Sequence, residues 1–230
     1  GAGADVISGG DGDDSIAAGD GDDINVHGGN GKDLLAGGAG ADTIHGGTGN
    51  DTASYSGSNV AVNVNLTHNT ASGGHAQGDV ISNIDHLVGS SFGDTLTGNS
   101  GVNRIDGGAG NDTLDGGGGA DTLLGGVGDD TYMINNAGIT ITESFGQGTD
   151  TVISSIDFML VDNLENLTLA GSATTGTGNT LNNTLTANNL GNTLSGGDGD
   201  DTLVGGTGND TLNGDVGNDT LRATSGNNIL

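Results

Sequence analysis

Aspartates recur at a fixed interval along this chain, and carboxylates held in register on a glycine-rich backbone are a means of gripping a hard cation. In Gly107–Met133, which reads GGAGNDTLD GGGGADTLL GGVGDDTYM, Asp112, Asp121 and Asp130 stand nine residues apart. Leu114, Leu123 and Tyr132 follow two positions later at the same interval. The unit is G-G-x-G-x-D-x-U-x, with U large and apolar, and strict repetition of both an acidic and an apolar residue marks a solenoid. Calcium takes roughly six to eight oxygens in adaptable geometry, whereas magnesium holds its waters and demands a stricter shell, so calcium is the ion expected.

Composition narrows the field of partners. The 230 residues include 50 glycines, no proline and no cysteine, and carry a formal net charge of -27. Nucleic acid and anionic membranes are excluded as partners by that charge, and no apolar run is long enough to insert into a membrane. Of the 30 acidic residues only Glu143 and Glu165 are not aspartate, and Lys32, Arg104 and Arg222 are the only bases. So few large apolar side chains offset the ordering entropy poorly, which leaves the fold in need of a further stabiliser.

Along the chain the unit falls into arrays separated by irregular stretches. Residues 1–54 form a first array with Asp5, Asp14, Asp23, Asp33, Asp42 and Asp51 at the sixth position. One of its units is a residue longer and has Asn25 where U belongs, so a bulge that turns Val26 inward is expected. Residues 55–88 break the period: Asn59–Leu66 alternates as a half-buried strand, Thr67–Gln77 reads as a loop, and D-x-U returns at Asp79 and Asp85. The second array, 89–133, has Asp94, Asn103, Asp112, Asp121 and Asp130 at the sixth position.

Residues 134–177 have a longer period, with strands expected at Ile139–Ile141, Val152–Ile153, Phe158–Leu160 and Leu164–Leu169, and with Asp150 in a further D-x-U. Leu164-Glu165-Asn166-Leu167 echoes Ile84-Asp85-His86-Leu87, as a duplicated larger unit would. The third array, 178–230, places Asn183, Asn192, Asp201, Asp210, Asp219 and Asn228 at the sixth position. The chain starts and stops within a repeat, so a piece of a longer array is expected, and one continuous solenoid is expected to run through all five segments.

The spacing also dictates the local structure. Glycines in the first six positions permit a tight turn with positive φ, and x-U-x then makes a very short strand with U inward. Threonine, a β-branched residue suited to an outward strand position, dominates the place before U. Turns stacked at the strand spacing of ~4.8 Å would bring carboxylates close enough to repel.

The nonapeptides resemble the RTX, or repeats-in-toxin, family. The resemblance implies an all-β, right-handed parallel β-roll (a β-helix solenoid), here with longer irregular coils inserted, and calcium held between turns n and n+2 on each edge. It pairs Asp5 with Asp23, Asp14 with Asp33, Asp23 with Asp42, Asp33 with Asp51, Asp94 with Asp112, Asp112 with Asp130, and Asp201 with Asp219. Asp121 then faces Asn103, Asp210 lies between Asn192 and Asn228, and Asp130 with Asp150 is a further pair. About ten calcium ions would neutralise most of the formal charge, and folding is expected to require them, the ion-free chain being largely unfolded.

The same resemblance implies a secreted bacterial protein exported by a type I system, in which this monomeric module stabilises or spaces a larger chain. An accessory, glycan-binding part of a polysaccharide-acting enzyme such as an alginate epimerase is the alternative, and an ice-binding adhesin segment a third. No catalytic constellation is evident, since His27, His45, His68, His75 and His86 fit no helix-borne zinc motif and no nucleophile elbow occurs.

Overall fold

The x-U-x triplets form strands in the computed structural model, which describes residues 1–230. Thr113–Asp115, Thr202–Val204 and Thr211–Asn213 each point the central leucine inward and the threonine outward. The chain is all-β, its one helical element being the 3-10 turn Gly74–Ala76, and its parallel strands stack as a β-solenoid. No helix is long and apolar enough to cross a membrane. The chain divides into two compact units: Gly1–Val127 with Gly138–Thr142, and Gly128–Ala137 with Glu143–Leu230.

In the first unit the strands of the regular arrays alternate between two sheets, while three successive strands of the irregular stretch share one. One sheet runs in the order Val6–Asp11, Asn25–Gly31, Thr43–Gly49, Val80–Ser82, Thr70–Ser72, Asn63–Asn65, Thr95–Thr97 and Thr113–Asp115. The other runs Ser15–Asp20, Leu34–Ala39, Thr52–Ser54, His86–Val88, Arg104–Ala109, Thr122–Val127 and Thr140–Thr142. Like residues stack on like along each sheet: Leu87, Ile105 and Leu123 are in register on neighbouring strands and fully buried. Each such side chain contributes roughly 1.5–3 kcal/mol of hydrophobic stabilisation.

The second unit repeats the plan. One sheet takes Thr131–Ile134, Thr151–Ser154, Asn166–Leu169, Thr184–Thr186, Thr202–Val204 and Thr220–Arg222, the other Phe158–Met159, Thr175–Thr177, Thr193–Ser195 and Thr211–Asn213. Tyr132, Val152, Leu167, Leu185 and Leu203 form its buried columns. Gly176 stands at an inward position because Leu167, Leu169 and Leu194 already fill the space its side chain would occupy. The four strands expected between 134 and 177 are present, with bounds shifted to Thr140–Thr142, Thr151–Ser154, Phe158–Met159 and Asn166–Leu169.

The bulge is where the ten-residue unit places it. Ile24 and Asn25 occupy the space that Val6 alone fills between Asp5 and Ile7, which sends Ile24 outward and leaves Val26 fully buried between Ile7 and Ile44.

The first irregular stretch departs from expectation. Only Asn63–Asn65 of the stretch 59–66 is a strand, and Val60 is 50% exposed. Thr67–Gln77 is not a loop: it holds the strand Thr70–Ser72, antiparallel to Asn63–Asn65, and then the 3-10 turn. The reversal has a local cause, since Asn65 Oδ1 accepts the His68 N–H at 2.9 Å and Asn69 adopts φ 53°. Asparagine tolerates that left-handed conformation better than most residues.

Candidate metal centre

Each regular turn leaves a hollow beside its sixth residue. In the turn Gly9–Asp14, Gly10 and Gly12 take φ of 103° and 110°, which L-residues rarely adopt. Gly9 is required for a different reason, because a methyl group added to it would overlap Asp14 Oδ2 and the Gly28 carbonyl oxygen. The same pairing of a carboxylate oxygen with a carbonyl from the next coil lines the space at Gly28 (Asp33, Gly46), Gly107 (Asp112, Gly125) and Gly196 (Asp201, Gly214). At these four turns the first glycine thus keeps open a cradle walled by oxygens, whereas the turn of Asp23 has the buried Ala18 at that place.

The carboxylates are fixed by the backbone. Asp23 Oδ1 accepts the Asp5 N–H at 2.8 Å, Asp33 Oδ1 that of Asp14 at 2.9 Å, Asp42 Oδ1 that of Asp23 at 2.9 Å, and Asp51 Oδ1 that of Asp33 at 2.9 Å. Asp112 accepts from Asp94, Asp121 from Asn103, Asp201 from Asn183, Asp210 from Asn192 and Asp219 from Asp201 at 2.7–3.0 Å. The sixth residues of turns n and n+2 are therefore joined in register within each unit.

One oxygen of each of these accepting carboxylates is committed in this way, and the other turns into the cradle. The Oδ2 atoms of Asp14, Asp23, Asp33, Asp42, Asp51, Asp121, Asp201 and Asp210 are buried and have no hydrogen-bond partner. A buried acceptor left so costs about 1–3 kcal/mol, and more when charged. Burial above all raises the pKa of Asp42, Asp51, Asp121 and Asp201, opposed by the backbone N–H each accepts and assisted by neighbouring carboxylates. A divalent cation in each cradle would supply the missing positive charge, and the donor set of carboxylate and carbonyl oxygens fits calcium.

The remaining sites differ in kind. Asp94 faces the Gly89 cradle, but both its oxygens are taken by the N–H and hydroxyl of Ser90 and by the Val62 N–H. Asp150 accepts the Asp130 N–H at 2.8 Å, and with Glu143 these two place three carboxylate oxygens within 4.8 Å of one another. Burial, then the charges of Glu143, Asp130 and Glu165, push the Asp150 carboxyl up to about 7 against the Asp130 N–H, which lowers it.

Four acidic residues that sequence spacing did not assign join the ladders. Asp79 accepts the Asp42 N–H at 2.8 Å and Asp85 the Asp51 N–H at 2.9 Å, so both edges continue across the irregular stretch. Glu165 accepts the Asp150 N–H at 2.8 Å, and Glu143 joins Asp130 and Asp150. The D-x-U signature at Asp79 and Asp85, and the echo of Asp85 in Glu165, carried the signal for three of them. The histidines lie apart from these cradles in role: His27 and His45 stack with centroids 4.6 Å apart, His68 bonds Asn65, and His86 Nδ1 accepts the Arg104 N–H.

Comparison with known families matches this geometry to a sequence pattern. The family model described as the RTX calcium-binding nonapeptide repeat, in four copies, matches residues 1–24, 25–57, 82–114, 97–132, 177–212 and 195–230. No curated protein matches the chain.

Proposed function

The chain belongs to the family of RTX calcium-binding nonapeptide repeats, and from that premise we propose that its cradles each take a calcium ion shared by turns n and n+2. Asp5, Asp14, Asp23, Asp33, Asp42 and Asp51 supply the ligands of the first array, Asp112 and Asp121 those of the second, and Asp201, Asp210 and Asp219 those of the third. Asp130 and Asp150, joined by Glu143, form a carboxylate-rich site of their own. The single observation behind this reading is the set of buried Oδ2 atoms without partners, all but that of Asp23 beside a glycine whose methyl group would fill the space.

Calcium then acts on folding rather than on a substrate, because the carboxylates of Asp42, Asp51, Asp121 and Asp201, like others of the ladders, are already committed to a backbone N–H. With a formal charge of -27 and no disulfide, the module orders where calcium is plentiful, as outside a cell, and stabilises or spaces a larger exported protein. Isothermal calorimetry with calcium, set against magnesium, tests this. Several calcium ions per chain with much weaker magnesium binding is the expected result; equal or absent responses to both ions would refute it.

A further inference from the structure

Some turns are already complete without an ion. Asn103 presents an amide where its neighbours present a carboxylate: Oδ1 accepts the Asn99 N–H at 2.8 Å, and Nδ2 donates to the Asp85 carbonyl at 2.7 Å and to Asn99 Oδ1 at 3.3 Å. Asn99 in turn donates from Nδ2 to the Ile84 carbonyl at 3.3 Å and accepts the Gly101 N–H at 2.7 Å. The amide thus brings its own positive end to carbonyl oxygens, which is the part a cation plays elsewhere.

The second unit contains the same network at matching positions. Asn183 Oδ1 accepts the Asn179 N–H at 2.7 Å, while its Nδ2 donates to the carbonyls of Leu164 and Glu165 at 3.1 and 3.3 Å. Asn179 donates to the Leu164 carbonyl at 2.8 Å. Leu164 and Glu165 are the counterparts of Ile84 and Asp85 in the repeated Leu/Ile-acid-Asn/His-Leu segment, so one device occurs twice. Beside it Asn188 and Asn192 donate to the Ala173 carbonyl at 2.7 and 3.0 Å, leaving one neutral acceptor, Asn192 Oδ1, unused.

Two further closures sit in the first unit. Tyr55, itself buried, donates its hydroxyl to Asp79 Oδ2 at 3.1 Å, and Ser90 occupies both oxygens of Asp94. Around these turns the core is enriched in large side chains, with Tyr55, Val64, Ile81, Ile84, Leu87 and Leu96 all buried. In the second unit Leu160, Leu164, Leu167, Leu169, Leu185 and Leu194 do the same. The first array is the opposite case, with five partnerless carboxylate oxygens at Asp14, Asp23, Asp33, Asp42 and Asp51.

We propose that each unit carries a calcium-independent folding nucleus, residues 55–105 in the first and 160–195 in the second, whose turns are closed by Tyr55, Ser90 and Asn99 and by Asn179 and Asn188. The inference rests on the calcium reading of the other turns. The nuclei stay folded when calcium is withdrawn, and the ion-requiring coils order against them when it returns. The irregular stretches are thereby the seeds of the calcium response.

Amide hydrogen exchange on the full chain, in calcium and in chelator, tests this. In chelator the amides of Thr95–Thr97 and Thr184–Thr186 are expected to exchange at least ~10-fold more slowly than an unfolded chain, while those of residues 14–51 reach the unfolded rate. Uniform unfolded exchange in chelator overturns the proposal and leaves calcium binding intact. Residues 14–51 protected alike in both media would instead overturn the calcium reading. The paired substitutions Asn99→Gly with Asn103→Asp, which restore a regular turn, should add one calcium ion and remove the chelator-resistant protection at Thr95–Thr97; protection that persists in this variant also overturns the proposal.

Discussion

The backbone N–H of Asp23 donates to Asp42 Oδ1 at 2.9 Å, across two turns on one edge of the solenoid. Both carboxylates are buried and keep Oδ2 without a partner. The hydrogen bond aligns the pair and offsets part of the burial penalty, but it leaves like charges stacked. The two roles of each aspartate, acceptor for the backbone and ligand for a cation, can therefore be separated by substitution.

Asp42→Asn keeps an oxygen for the Asp23 N–H and removes the charge. The variant should lose calcium at the sites that use Asp42 while retaining the strand register. Asp42→Ala loses the acceptor as well and should be less stable in calcium than Asp42→Asn by about 1–3 kcal/mol. Calorimetric ion counts with thermal melts in calcium compare the two.

Gly28→Ala tests the cradle itself. Gly28 does not require a positive φ, so alanine meets no backbone strain there, but its methyl group would overlap Asp33 Oδ2 and the Gly46 carbonyl. One calcium ion fewer is the expected count, with a lower melting temperature in calcium. An unchanged count would place the ion elsewhere. Gly29→Ala, at φ 123° and against the Gly10 carbonyl, should disturb the turn whether or not calcium is present.

Acid should act oppositely on the two states of the chain. Burial first, and the Asp42 charge after it, push the Asp79 carboxyl up to about 7 against the N–H of Asp42 and the hydroxyl of Tyr55, which lower it. A carboxyl whose folded pKa exceeds its unfolded value penalises folding when ionised; the penalty is absent below about pH 4 and full above about pH 7. In chelator the nucleus 55–105, which contains Asp79, should therefore resist urea better at pH 5 than at pH 8. Calcium binding should weaken over the same descent, since protons compete for the raised carboxyls of Asp42, Asp51, Asp121 and Asp201. Urea titrations and calcium isotherms at the two pH values measure both trends.

Tyr55→Phe removes the donor to Asp79 Oδ2 and leaves that buried oxygen without it. A loss of roughly 1–3 kcal/mol in the first unit is expected, larger at pH 8 than at pH 5, because protonation of Asp79 relieves the same defect. Chemical denaturation at both pH values measures it.

The solenoid was legible because two signals share one period. Aspartate and U recur together from Asp112 to Tyr132, and the extra residue before Val26 announced its bulge. The pairing of Asp42 with Asp79, 37 residues apart, was hidden because the intervening chain folds back as an antiparallel hairpin. That reversal depends on Asn65 and Asn69, whose side-chain hydrogen bonding and left-handed φ leave no periodic trace. The closed turns were hidden for a related reason: spacing only places Asn103 and Asn183 at the sixth position, and it takes the structure to show their amides donating to the carbonyls of Asp85 and Leu164.

Far-UV circular dichroism of the full chain during calcium titration, followed by chelation, tests the central claim most directly. Most of the strand signal should appear as the ions bind and collapse on chelation, leaving only the residual signal of the two nuclei. A spectrum as rich in strand without calcium as with it would contradict the account.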